Sequence, residues 1–89
     1  MKAIVTVVGK DRVGIIASVC TQLAAFNVNV LDISQTVMQG YFTMMMAVEV
    51  SECTVPLALL SSEMEEMGKQ RGLSIRVQRE DIFEAMHRI

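Results

Sequence analysis

A chain of 89 residues holds a single domain, and its 52% hydrophobic composition without low-complexity runs is that of a folded globule. Eight Lys and Arg against ten Asp and Glu, scattered to a net charge of −2, exclude the basic footprint of a nucleic-acid binder and the acidic run of a disordered tail. No apolar run approaches the roughly 20 residues of a membrane span, and the N-terminal stretch is too short for a secretory signal, so a cytoplasmic location is expected.

Lys2 to Val8 is β-branched and apolar on both faces at Ile4, Val5, Val7 and Val8, which predicts a central strand. From Gly14 the period changes. Ile16, Val19, Cys20, Leu23 and Phe26 recur at three and four, the stripe of a helix, and Asn27 supplies a residue that tolerates the left-handed stop. Val28 to Gln39 predicts a second strand, partly exposed, with a phase shift between Val30 and Leu31 that marks a bulge. Gln39-Gly40-Tyr41 turns the chain into a third strand, Phe42 to Val50, with Phe42, Met44, Met46, Val48 and Val50 on one face. Within Met44-Met45-Met46, alternation sends the outer two to the core and leaves Met45 on the other side.

Thr54 is placed to cap a second helix and Pro56 to stand in its first turn. Leu57, Leu60, Met64 and Met67 repeat at helical spacing, Glu63, Glu65, Glu66, Lys69 and Gln70 face water, and Gly72 ends the helix. Leu73, Ile75 and Val77 alternate with Ser74, Arg76 and Gln78 in a fourth strand. A last helical segment, 80–89, aligns Ile82, Phe83, Met86 and Ile89, a stripe suited to covering the sheet of the protein's own dimer. The order β-α-β-β-α-β predicts an α+β, ferredoxin-like domain over residues 1–79 with a helical extension over 80–89. Right-handed crossovers give an antiparallel sheet of order 4-1-3-2 with both helices on one face. A core this small gains from self-association, so a homodimer or higher even oligomer is expected to cover the bare face or the outer strands.

The chemistry-bearing stretch is Val7-Val8-Gly9-Lys10-Asp11-Arg12-Val13-Gly14-Ile15-Ile16. Gly9 and Gly14 are spaced as in a phosphate-binding loop, but Ile15 and Ile16 stand where that loop needs Lys and Ser or Thr; the dinucleotide spacing G-x-G-x-x-G is absent as well. His87 is the only histidine and is the third residue from the end, so no nucleophile, base and acid can be assembled, and the expectation is no enzyme. Cys20 and Cys53 lack metal-ligand spacing and read as two reduced thiols, and neither a metal nor a cofactor is expected. A helix starting at Gly14 offers unpaired N–H groups and the positive end of its dipole to a carboxylate. Gly14 permits close approach and Asp11 could take up an ammonium, so the loop matches a zwitterion better than a phosphate. A plain strand-to-helix turn explains the same residues without any ligand.

The set Gly9, Asp11-Arg12-x-Gly14-Ile15 and Asn27-Val28-Asn29-Val30, in this order on this topology, resembles the ACT domain, a regulatory module of amino-acid metabolism. The resemblance covers residues 2–79, and Gln78-Arg79-Glu80-Asp81-Ile82-Phe83-Glu84-Ala85-Met86-His87-Arg88-Ile89 is similar to the ending of the stand-alone bacterial members. It implies a homodimer whose ligand lies between Asp11, Arg12, Val13, Gly14 and Ile15 of one subunit and Asn29, Val30 and Leu31 of its neighbour. It also implies an amino acid or similar metabolite as ligand, with Asn29 able to hydrogen-bond its carboxylate or amine. With no enzyme domain in these 89 residues, regulation would act on a separate protein partner. Two other functions fit the topology. One is a ligand-free dimerising adaptor. The other is an RNA-binding module, against which stand the acidic balance and the loss of strand aromatics at Thr43 and Met46.

Overall fold

The computed structural model describes residues 1–10 and 13–86, less the side chains of Phe83 and Met86. Its elements are β1 (Lys2–Lys10), α1 (Ile15–Ala25), β2 (Asn29–Met38), β3 (Tyr41–Glu49), α2 (Leu57–Arg71), β4 (Leu73–Arg79) and α3 (Glu80–Met86). The four strands form one antiparallel sheet in the order β2-β3-β1-β4, the expected 4-1-3-2 read from the other edge. This is the ferredoxin-like sandwich with a short C-terminal helix.

One sheet face supplies Ala3, Val5 and Val7 from β1, Phe42, Met44, Met46 and Val48 from β3, and Leu73, Ile75 and Val77 from β4. Against it α1 lays Ile15, Val19 and Leu23, and α2 lays Leu60 and Met64, in one continuous core. The other face is uncovered by α1 and α2, so Val8 and Met45 remain exposed although Val7, Met44 and Met46 beside them in sequence are buried. α1 and α2 thus share one face of the sheet, as expected. β1 is central in the sheet, but only its helix side is core.

Local chemistry sets the boundaries. Asn27 ends α1 with φ 61°, and Gln39 and Gly40, at φ 52° and 82°, form the two-residue connection between the paired Met38 and Tyr41. Positive φ at both central positions is the turn whose twist suits a hairpin. The register of β2 against β3 skips from Val30 to Asp32, which makes Leu31 the extra residue of the expected bulge. Thr54 does not cap α2: its N–H donates to the Phe26 carbonyl at 3.0 Å and its hydroxyl to the same oxygen at 3.4 Å, tying the connection to the end of α1. Pro56 accordingly stands at the N-cap, one position before the helix, where its missing N–H removes no helical bond. In α3, Ile82 is 46% exposed in the single chain. His87 and Ile89 lie outside the described residues.

At the other end of the sheet from the hairpin, the Met1 ammonium donates to Glu49 Oε1 at 2.6 Å and to Ser51 Oγ at 2.7 Å, and the Ser51 hydroxyl also donates to Glu49. The bond from the ammonium, then that from Ser51, holds the Glu49 carboxyl below its ordinary value of 4.5. A carboxyl lowered in the folded state adds stability above the ordinary value and loses it as pH falls through the folded one. Glu49→Gln is therefore expected to lower the melting temperature slightly at neutral pH and to converge on the parent in acid, so that its fall with pH is slightly shallower. Melting curves across about pH 3 to 7 check this.

Candidate functional site

The start of α1 is built by a glycine. Gly14 is the N-cap at φ 87°, a conformation that side-chain-bearing residues rarely adopt, and it contributes no capping side chain. The first helical bond runs from the Ser18 N–H to the Gly14 carbonyl at 2.9 Å, and no acidic residue stands in the first turn. Among the described residues, no side chain caps the leading N–H groups of the helix, and no carboxylate in the first turn offsets the positive end of the dipole.

The sheet register decides what lies beside this helix start. Gly9 pairs with Leu73, so the end of β1 adjoins the point where α2 passes through Gly72 into β4. A cavity of about 60 Å³ sits there, lined by Val13, Gly14, Ile15, Ser18, Arg71 and Leu73. Arg71 is the residue that reading the sequence missed. It belongs to the last turn of α2, 57 positions from Gly14, and only the pairing of β1 with β4 brings it to the loop. The legible signal is the basic last turn of α2, Lys69 and Arg71, directly before Gly72. A guanidinium beside free helical N–H groups can orient a carboxylate through directional, charge-assisted bonds.

Of the expected site residues, Val13, Gly14 and Ile15 come together at this cavity, with Val13 fully exposed and Ile15 buried. Asp11 and Arg12 lie outside the described residues. Asn29, Val30 and Leu31 are elsewhere in the same chain. Asn29 pairs with Glu49, which in β1 faces Lys2, whereas Lys10 faces Tyr41 and, beyond it, Met38. Loop and strand start therefore occupy opposite ends of the sheet, separated by eight residue steps, roughly 27 Å at strand rise. No ligand of amino-acid size spans that distance. A single chain holds only half of the expected set.

Among the described residues, no group of three or more His, Cys, Asp or Glu is placed to hold a metal ion. None of the helices in them is long and apolar enough to cross a membrane.

The ACT domain family model matches residues 2–78. A UPF0237 protein of Bifidobacterium longum is 54% identical over 88 residues, covering 99% of this chain and 98% of the relative. One of Clostridium acetobutylicum is 52% identical over the full length of both. The solved structure of an ACT domain protein from Streptococcus pneumoniae superposes with a TM-score of 0.83 at 46% identity, covering 98% of each chain. A formyltetrahydrofolate deformylase of Pseudomonas syringae shares the fold alone, with a TM-score of 0.77 at 22% identity over 88% of this chain and 27% of its own. The chain belongs to the ACT domain family, whose members are generally regulatory modules that bind small amino-acid ligands and form dimers.

Proposed function

We propose that this protein is a ligand-sensing regulatory module, which binds an amino acid or similar metabolite at a homodimer interface and passes that state to a protein partner. The observation that carries the reading is the uncapped, acid-free start of α1 at Gly14, with Arg71 facing the same small cavity. The carboxylate would lie on the α1 N–H groups and Arg71. Asp11, with Asn29 of the second copy, would receive the ammonium.

The dimer that completes such a site uses the β2 edge. Every residue of β2 but Val30 is exposed in the single chain, and Ile33 and Val37, which pair with the buried Met46 and Phe42, point to the helix side without a helix over them. A long edge strand of this kind invites pairing. Two copies joined by antiparallel β2 strands around Ile33 set Asn29 of one chain opposite Val37 of the other, at the sheet end where the other chain's Gly14 loop lies. Three strand spacings, roughly 14 Å, then separate β2 from the second chain's β1, a gap that side chains and a small ligand can bridge. Pairing through β4 gives no such juxtaposition.

The module reading is tested by thermal-shift and calorimetric titration of the common amino acids. The expected result is a rise in melting temperature for one or a few of them, and its loss in Gly14→Leu. Among the described residues, chain neighbours apart, no heavy atom stands within 4 Å of an added Cβ there, so the cost of Gly14→Leu is chiefly that of holding a side-chain-bearing residue at φ 87°, about 1–2 kcal/mol, with the dimer left intact. An unchanged affinity in Gly14→Leu places the ligand elsewhere. A flat panel at millimolar ligand favours the adaptor reading, to which the smallness of the 60 Å³ cavity already lends support against the usual ligand pockets of about 300–1,000 Å³.

A further inference from the structure

The sheet has a second open edge. β4 pairs with β1 on one side only, and along its outer side a groove of about 480 Å³ runs between the strand and α2, lined among others by Glu65, Lys69, Ser74, Ile75, Arg76 and Val77. We propose that this edge is the site at which the module engages its protein partner, by adding an extended partner segment of alternating apolar and acidic residues as a fifth strand on β4. The proposal deepens the reading above by naming the surface and the chemistry of the partner.

Three observations select that occupant. Leu73, Ile75 and Val77 form an apolar row under α2, so the helix-side residues of an added strand would extend the core and should be apolar. Ser74 and Arg76 stand exposed on the opposite face, so the residues on that side of the added strand meet a cation. Neither Arg76 nor Lys69 has an ion-pair partner among the described residues, whereas Arg79 is already engaged with Asp81 at 2.7 Å. Of the charged residues lining the groove, two, Lys69 and Arg76, are basic and one, Glu65, is acidic, in a protein whose net charge is −2. The same charges argue against a second copy here. A two-fold pairing centred on β4 sets Arg76 against Arg76, and like charges directly opposite one another destabilise a strand pair. In β2, by contrast, Asp32 is the one charged residue and falls opposite Ser34. Main-chain bonds along β4 would supply affinity and the alternating side chains selectivity, as in strand-addition recognition generally.

The test uses the full chain, isotopically labelled, titrated with an end-capped octapeptide of alternating valine and glutamate and with its valine and lysine counterpart. The glutamate peptide is expected to shift the amide resonances of Leu73–Arg79 and slow their hydrogen exchange; the lysine peptide should not do so at equal concentration. Arg76→Glu, an exposed change, should weaken the glutamate peptide about tenfold and favour the lysine one. The proposal is overturned if neither peptide binds at millimolar concentration, if the shifts fall on β2, or if Arg76→Glu leaves the preference unchanged. It is equally overturned if diluting the protein alone moves the β4 amides, since a second copy then occupies the edge. Peptide binding without any amino-acid response would sink the ligand-sensing reading and leave this one standing; an amino-acid response without peptide binding does the reverse.

Discussion

Replacing Gly68 by alanine is expected to lower the melting temperature, although alanine is the better helix former by about 1 kcal/mol. Gly68 is buried in α2, four residues after Met64 and eight after Leu60, on the stripe that meets β4. A Cβ built there would stand 2.8 Å from the Leu73 carbonyl oxygen and 3.0 Å from Ile75 Cγ1. The first obstacle is backbone of the adjoining strand and cannot rotate away, so α2 must lift from β4, and Leu60 and Met64, both fully buried, lose contact with the sheet. Overpacking of this kind typically costs about 1–3 kcal/mol, which outweighs the propensity gain. For a domain of this size each kcal/mol is about 4–8 °C, so Gly68→Ala should melt several degrees lower and Gly68→Leu should melt lower still or fail to fold. Gln70→Ala, exposed in the same helix, is the control and should change little. Calorimetry decides between the two effects. A Gly68→Ala protein about 1 kcal/mol more stable than the parent would mean that α2 stands further from β4 than these distances place it.

That contact also shows what periodicity can and cannot reveal. The i, i+4 row Leu60, Met64 continues to position 68, but a glycine carries no hydropathy signal, so this close approach of helix to strand backbone falls on the one member of the stripe that pattern reading passes over. Where side chains alternate or repeat, the reading holds. The faces of β3 and β4, the stop at Asn27, the bulge at Leu31 and the turn at Gln39-Gly40 all follow from local chemistry and stand as read. Thr54 is not the cap because α2 starts only at Leu57, with Pro56 at its N-cap, while the return of the chain past α1 sets the Phe26 carbonyl to accept from the Thr54 N–H and hydroxyl, which no local rule encodes. The same divide runs through the site. Gly14 is legible because a helix start has a sequence signature, whereas Arg71 joins it only through the Gly9–Leu73 pairing. The distance between the loop and Asn29 is likewise a property of register, and it turns an expected contact between subunits into a geometric requirement for any ligand that touches both.

Ile33→Lys is expected to convert the protein to a monomer and to abolish its amino-acid response together. Ile33 lies at the middle of β2, 41% exposed, and pairs across the sheet with the buried Met46. In the single chain lysine is well tolerated at an exposed edge position, where it is a common guard against strand pairing, so folding should change by no more than about 0.5 kcal/mol. In a two-fold β2 pairing the substitution acts twice. It removes two apolar side chains from the interface and sets two ammonium groups against each other, which should weaken the dimer by roughly a hundredfold. Ile33→Val, which keeps the apolar surface, should remain dimeric. Sedimentation and thermal shift on the same samples give separate readouts. An Ile33→Lys variant that stays dimeric and responsive would move the interface away from β2. A monomer that still responds would show the Gly14 and Arg71 cavity to be complete in one chain, because Asn29 of the same chain lies roughly 27 Å away and cannot contribute. Loss of both properties at once is the outcome that only a site shared across the β2 edge predicts.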